Sequence, residues 1–150
     1  MPKRKDTKLE SEGAEFLVLG NLLVEGIHCY KAYVNFPGYD LTAVNPISGK
    51  TAKIQVKSRW ATDYDKSFPL KNFGCDFVVH VALNRGNSFR KRAVKVKPDA
   101  PAFYVLPIEA AKKALRESGG WSKVRLNKIP KTELESYKDN WQLIRDFLEN

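Results

Sequence analysis

Cysteine is scarce: Cys29 and Cys75 are the two among 150 residues, far apart and without a paired His or Cys close behind either. Zinc-type spacing and a disulfide framework are thereby excluded, and two reduced cysteines in or near the core are expected. Long apolar runs are lacking as well. The longest, Phe16 to Val24, is broken by Gly20 and Asn21 and falls short of the roughly 20 residues that span a bilayer, so no membrane segment is expected. The start, Met1-Pro2-Lys3-Arg4-Lys5-Asp6-Thr7-Lys8, is basic but has no apolar run and small-residue cleavage site close behind it, unlike a secretory signal. A cytoplasmic protein is the expectation. Acidic charge is also short: 17 Asp and Glu stand against 26 Lys and Arg, a formal net charge of +9, with no acidic tail to offset it. Such a chain is drawn to polyanions, and in the cytoplasm nucleic acid is the most abundant of them. Charge alone does not separate binding from cutting.

What is present reads as a basic flexible arm over residues 1–8 and one domain over 9–150, with 43% hydrophobic and 29% charged residues. A helix is predicted from about Leu9 to Glu25, closed by Gly26. Three strand-like segments follow as a meander, His28 to Asn35, Tyr39 to Asn45 and Thr51 to Ser58, separated by Phe36-Pro37-Gly38 and Pro46-Ile47-Ser48-Gly49. Asp76 to Asn84 and Ala102 to Leu106 are further strands, the second leading into a helix from Pro107 to about Glu117. Between them residues 85–97 carry six basic side chains and no acid, as a basic hairpin or a loop. A last helix from about Tyr137 to Leu148 puts Trp141, Ile144 and Leu148 on one face.

Polar side chains inside these strands form the first candidate site. Alternation sends Gln55 and Lys57 to one face of their strand and Ile54 and Val56 to the other. A loop of residues 46–49 pairs Asn45 with Lys50, and counting back along both strands sets Asp40 opposite Gln55. A carboxylate, an amide oxygen and an ammonium then converge on one sheet face, although a solvated face with an Asp–Lys pair has the same pattern. On the first helix Glu15 is followed at i+3, i+4 and i+7 by Val18, Leu19 and Leu22. Its carboxylate therefore either meets a cation across the helix–sheet interface or reaches water at the edge of the stripe. His28 and His80 have no partners at metal-ligand spacing and read as structural, as do Tyr137 and Trp141 as packing.

The order of a helix with an inward Glu15, a strand, Gly38-Tyr39-Asp40 and then Gln55-Val56-Lys57 resembles the PD-(D/E)XK nuclease superfamily, over about Gly13 to Asn84. The step Phe103-Tyr104-Val105-Leu106-Pro107 is also similar. The resemblance implies an α/β restriction-endonuclease-like core, a central mixed sheet flanked by helices. It makes Asp40, Gln55, Lys57 and Glu15 the catalytic set, with Mg²⁺, or Mn²⁺ in its place, held by Asp40, Gln55, the Val56 carbonyl and Glu15. Two departures stand out: Pro37 lies three residues before Asp40 rather than next to it, and Gln55 replaces the usual acid. The implied activity is endonucleolytic hydrolysis of double-stranded DNA, site-specific in the manner of homing or restriction enzymes, leaving a 5′-phosphate and a 3′-hydroxyl. The implied assembly is a homodimer or homotetramer. Ser58, Arg59, Arg85, Arg90, Lys91, Arg92, Lys95 and Lys97 are the candidate DNA contacts. A non-catalytic DNA-binding module on the same fold, a junction nuclease and an RNA-binding protein are the alternatives.

Overall fold

The first helix owes its place to a stripe of small and branched residues. In the computed structural model, which describes residues 7–32, 39–62, 67–86 and 97–150 and at 118 and 121 the backbone alone, α1 (Lys8–Val24) fully buries Ala14, Val18 and Leu22. That four-residue spacing keeps one face against the sheet, and each buried Val or Leu contributes about 1.5–3 kcal/mol. Gly26, at φ +79°, then turns the chain. Its N–H donates to Leu23 O and that of Ile27 to Leu22 O, the Schellman pattern that satisfies the last carbonyls.

Among the described residues five strands form the central sheet: β1 (His28–Lys31), β2 (Leu41–Val44), β3 (Thr51–Arg59), β5 (Phe77–Ala82) and β6 (Ala102–Pro107), in the order β1-β2-β3-β5-β6. Neighbours are antiparallel except β3 and β5, so the sheet is mixed. The parallel pair requires a long crossover, and this one contains β4 (Ser67–Pro69). Strand β4 joins β7 (Leu115–Ser118) and β8 (Trp121–Arg125) in a second sheet ordered β4-β8-β7.

Alternation gives the central sheet two apolar faces. One carries Ile54, Val79 and Val105 beneath α1 and α4 (Gln142–Glu149). The other carries Val78, Tyr104 and Leu106 beneath Phe68, Leu70, Val124 and α2 (Ile108–Lys113). The predicted α/β class, a central mixed sheet flanked by helices, is the one observed.

Two element predictions are corrected. The helix after β6 ends at Lys113 instead of about Glu117, because Leu115 is needed as a strand residue opposite Val124, over the second core. Gly119 and Gly120, at φ +57° and +81°, make the two-residue turn that joins Ser118 to Trp121. The helix predicted from about Tyr137 begins only at Gln142, as α4, and Tyr137 instead closes a separate helix, α3 (Lys131–Tyr137). Between them Asp139, at φ +52°, donates its N–H to Phe103 O at 2.8 Å, and Lys138 bridges to Tyr104, so edge pairing with β6 interrupts the helix. Trp141, Ile144 and Leu148 are buried together as predicted.

Both cysteines are free and buried. Burial pushes the Cys29 thiol up to about 12 and that of Cys75 up to about 11. Among the described residues no helix is long and apolar enough to cross a membrane. The expected arm over residues 1–8 lies outside the described residues up to 6.

Candidate active site

Asp40 stands where β2 and β3 part. The paired ladder ends at Leu41 and Ile54, and Asp40 N–H donates to Ile54 O at 2.8 Å, one step out of that register. Asp40 is thus not squarely opposite Gln55, as simple counting predicts, but beside it at a local offset. Continued pairing would give the Val56 N–H to residue 39. Instead Asp40 Oδ2 accepts it at 2.8 Å. A strand residue's N–H and C=O point to the same side, so the Val56 carbonyl faces the same gap.

Gln55 and Lys57 share the face of β3 opposite Ile54, as alternation requires. Gln55 Oε1 is buried and has no hydrogen-bond partner among the described residues. Leaving a buried amide oxygen unpaired costs on the order of 1–3 kcal/mol, a reason to look for something it binds. Burial lowers the Lys57 ammonium below the usual lysine range, with Arg59 adding repulsion, while Asp40 opposes the shift. Asp40 itself is raised by burial, against the Val56 N–H bond and the charges of Lys57 and Lys31.

Glu15 comes to this corner from α1. Burial, then the charge of Asp40, raises its carboxyl to about 7, and Lys31 pulls the other way. The alternative between a cation and open water is resolved towards the cation. The Lys31 side chain is 5% exposed, lies 3.8 Å from Glu15, pairs also with Glu12, and sits 4.2 Å over the Phe16 ring. Lys31 was not nominated from sequence. Its signal is alternation with buried Cys29 on β1, which turns both side chains under α1, but only the packed interface shows which lysine meets Glu15.

These groups fit a hard divalent cation. Carboxylate, amide and main-chain oxygens are its preferred donors, and the orphaned Gln55 oxygen gains a partner if one binds. Among the described residues no group of three His, Cys, Asp or Glu could hold a metal ion, so an amide and a carbonyl are needed to complete any set here.

His80 is also placed by the fold. It pairs with Lys57 in the β3–β5 register and is fully buried, stacked 5.1 Å from the Phe68 ring. The structural reading of this histidine stands. His28, by contrast, is exposed.

Of the candidate DNA contacts, Ser58 and Arg59 end β3. Arg85 joins them, since its N–H donates to Trp60 O at 2.8 Å. Lys97 lies two residues before Asp99, whose N–H donates to Asn84 O near the same end of the sheet. Arg90, Lys91, Arg92 and Lys95 lie outside the described residues, as do Pro37 and Gly38.

No family model and no curated protein matches the sequence. Among solved structures, a bacterial homing endonuclease, I-Ssp6803I, is similar over 97% of this chain and 94% of that one, with 22% identity and a TM-score of 0.58. A Holliday junction resolvase, Hjc, from the archaeal hyperthermophile Archaeoglobus fulgidus is matched over 84% of this chain and 88% of that one, with 16% identity and a TM-score of 0.46. A helix-covered mixed sheet, with Asp40 at a strand gap and Gln55 and Lys57 on the next strand, thus has the restriction-endonuclease-like fold that it shares with that homing endonuclease.

Proposed function

We propose that the protein is a divalent-metal-dependent endonuclease that hydrolyses phosphodiester bonds in double-stranded DNA at specific sites, in the manner of homing or restriction enzymes. The observation that carries this reading is the buried, unpartnered Gln55 oxygen beside a carboxylate whose other contact is a main-chain N–H. Asp40, Gln55 and the Val56 carbonyl would hold Mg²⁺ or Mn²⁺, with Glu15 as the second carboxylate. Bound there, the ion supplies acidified water and neutralises charge that builds on the scissile phosphate.

The chain's own residues do the rest. The Val56 N–H fixes one Asp40 oxygen and leaves the other to turn towards the gap. Lys57 Nζ orients the attacking water and, as a compact ammonium, stabilises the charge that builds on the phosphoryl group. Lys31 holds Glu15 at the edge of the site and limits the repulsion between the two carboxylates. One small site cuts one strand, so double-strand cleavage calls for a homodimer or homotetramer. The fold's likeness to a bacterial homing endonuclease supports the same reading.

The experiment is cleavage of supercoiled plasmid and of a randomised duplex library with Mg²⁺ or Mn²⁺, alongside Asp40→Ala and Lys57→Ala. Metal-dependent nicking or linearisation, lost in both variants, with 5′-phosphate ends and recurrent library sites, is expected. Tight DNA binding with no cleavage under either ion overturns the enzyme in favour of a binding module. Selective cutting of four-way junctions would replace site specificity with structure specificity.

A further inference from the structure

The second sheet presents a face that no sequence motif marked. Val124 and Leu126 point into the core, so alternation turns Lys123 and Arg125 outward. Register then places their neighbours: Arg125 pairs with Ser67 on β4, and Lys123 lies between Pro69 of β4 and Arg116 of β7. The β4 edge adjoins the candidate active site. Arg59 Nε donates to Ser67 O at 2.8 Å, and Arg59 lies two residues beyond Lys57 on β3, so both belong to one face of that strand.

A line of cations therefore runs from Lys57 through Arg59 to Arg125, Lys123 and Arg116. Lys57 faces the Asp40 carboxylate, whereas Arg59, Arg125, Lys123 and Arg116 make no salt bridge among the described residues. Arg116 is held instead by two carbonyls, Lys113 O and Leu115 O, each at 2.8 Å. Arg59 is likewise held by a carbonyl. Guanidinium groups fixed by backbone acceptors keep their full charge and lose little freedom on meeting an anion. Along a strand, alternate residues are about 7 Å apart, and neighbouring strands about 5 Å. Cations so arrayed, continuous with the site that faces the scissile phosphate, match the repeating charge of a nucleic-acid backbone.

We infer that the outer face of the β4-β8-β7 sheet is a phosphate-binding surface, with Arg125, Lys123 and Arg116 gripping the backbone of duplex DNA beyond the scissile group. The inference rests on the DNA reading above. Phosphate contacts position the duplex and carry no sequence information, so the effect is the same on every sequence.

Fluorescence anisotropy with a labelled random-sequence duplex, without divalent metal and across a salt series, tests it. Lys123→Ala and Arg125→Ala are each expected to weaken binding several-fold near 0.1 M salt and to lower the slope of log K against log salt by about 0.9. Arg125→Lys is expected to retain most of the slope. Lys50→Ala, in the β2–β3 turn at the opposite end of β3, is expected to change neither quantity; thermal melts confirm that each variant is folded. An unchanged slope in the Lys123→Ala, Arg125→Ala double variant, while the unsubstituted protein binds, overturns this surface alone. Failure of the unsubstituted protein to bind duplex DNA overturns the surface and the nuclease reading together.

Discussion

At the scale of single residues, the proposed metal site turns on Gln55. It offers an oxygen without a charge, so on that reading metal affinity would lean on Asp40 and Glu15. Gln55→Ala is expected to weaken Mg²⁺ binding roughly tenfold or more, and Gln55→Glu to tighten it, as read by calorimetric titration. The Glu substitution is also expected to lower the melting temperature of the metal-free protein at pH 8, because a third carboxylate joins two whose proton affinities are already raised. Glu15 gives a separate pH signature. Its carboxyl sits at about 7 in the fold against an ordinary 4.5, so between those values the folded state binds more protons than the unfolded one. Its stabilising contribution is therefore complete below about pH 4.5 and disappears as pH rises through 7. With allowance for solvent screening this amounts to about 1–2 kcal/mol. Glu15→Gln should remove that fall from the metal-free melting curve; an identical pH profile in both proteins would show that Glu15 is not shifted. The relation of Asp40, Gln55 and Lys57 was legible in sequence because turn length and strand parity set faces almost by counting. The offset at Asp40 and the choice of Lys31 were not, since both depend on how strands part and which element lies across the interface.

At the scale of elements, α1 and the strands of the central sheet were legible for the same local reasons: a four-residue apolar stripe, a closing Gly26, and alternating or continuous apolar strands. The second sheet was hidden. Strand β4 has three residues and includes Pro69, and β7 follows α2 so closely that the charged run Lys112-Lys113 and Arg116-Glu117 reads as a continuing helix. The signal that was there is Gly119-Gly120, whose two positive φ angles suit a tight hairpin between twisted strands. An added Cβ meets nothing within 4 Å at either glycine, so substitution there is costly only through backbone conformation. Gly119→Ala and Gly120→Ala are each expected to destabilise the fold by about 1 kcal/mol, and Gly120→Val by more, in chemical denaturation. If the surface on β8 grips DNA, the alanine variants should also bind duplex more weakly, because the hairpin aligns Lys123 with Arg116.

At the scale of the whole molecule, a chain with net charge +9 holds two carboxylates, Asp40 and Glu15, where the proposed function would bring a phosphate. Long-range attraction and local repulsion therefore act on the same ligand, and a divalent ion is the natural mediator between them. Chelation should abolish cleavage yet leave binding, because Arg59, Arg85 and the second sheet still face the polyanion. It should also expose the local repulsion. In EDTA, Asp40→Asn is expected to bind duplex DNA several-fold more tightly than the unsubstituted protein, since it removes a charge beside the scissile phosphate while keeping an oxygen for the Val56 N–H. With Mg²⁺ restored the order should reverse for metal-assisted binding, and the variant should remain inactive in the plasmid assay. Anisotropy titrations in the two buffers read both halves. Equal affinities in EDTA would mean that DNA does not approach Asp40, and the site would have to be sought elsewhere on the basic surface.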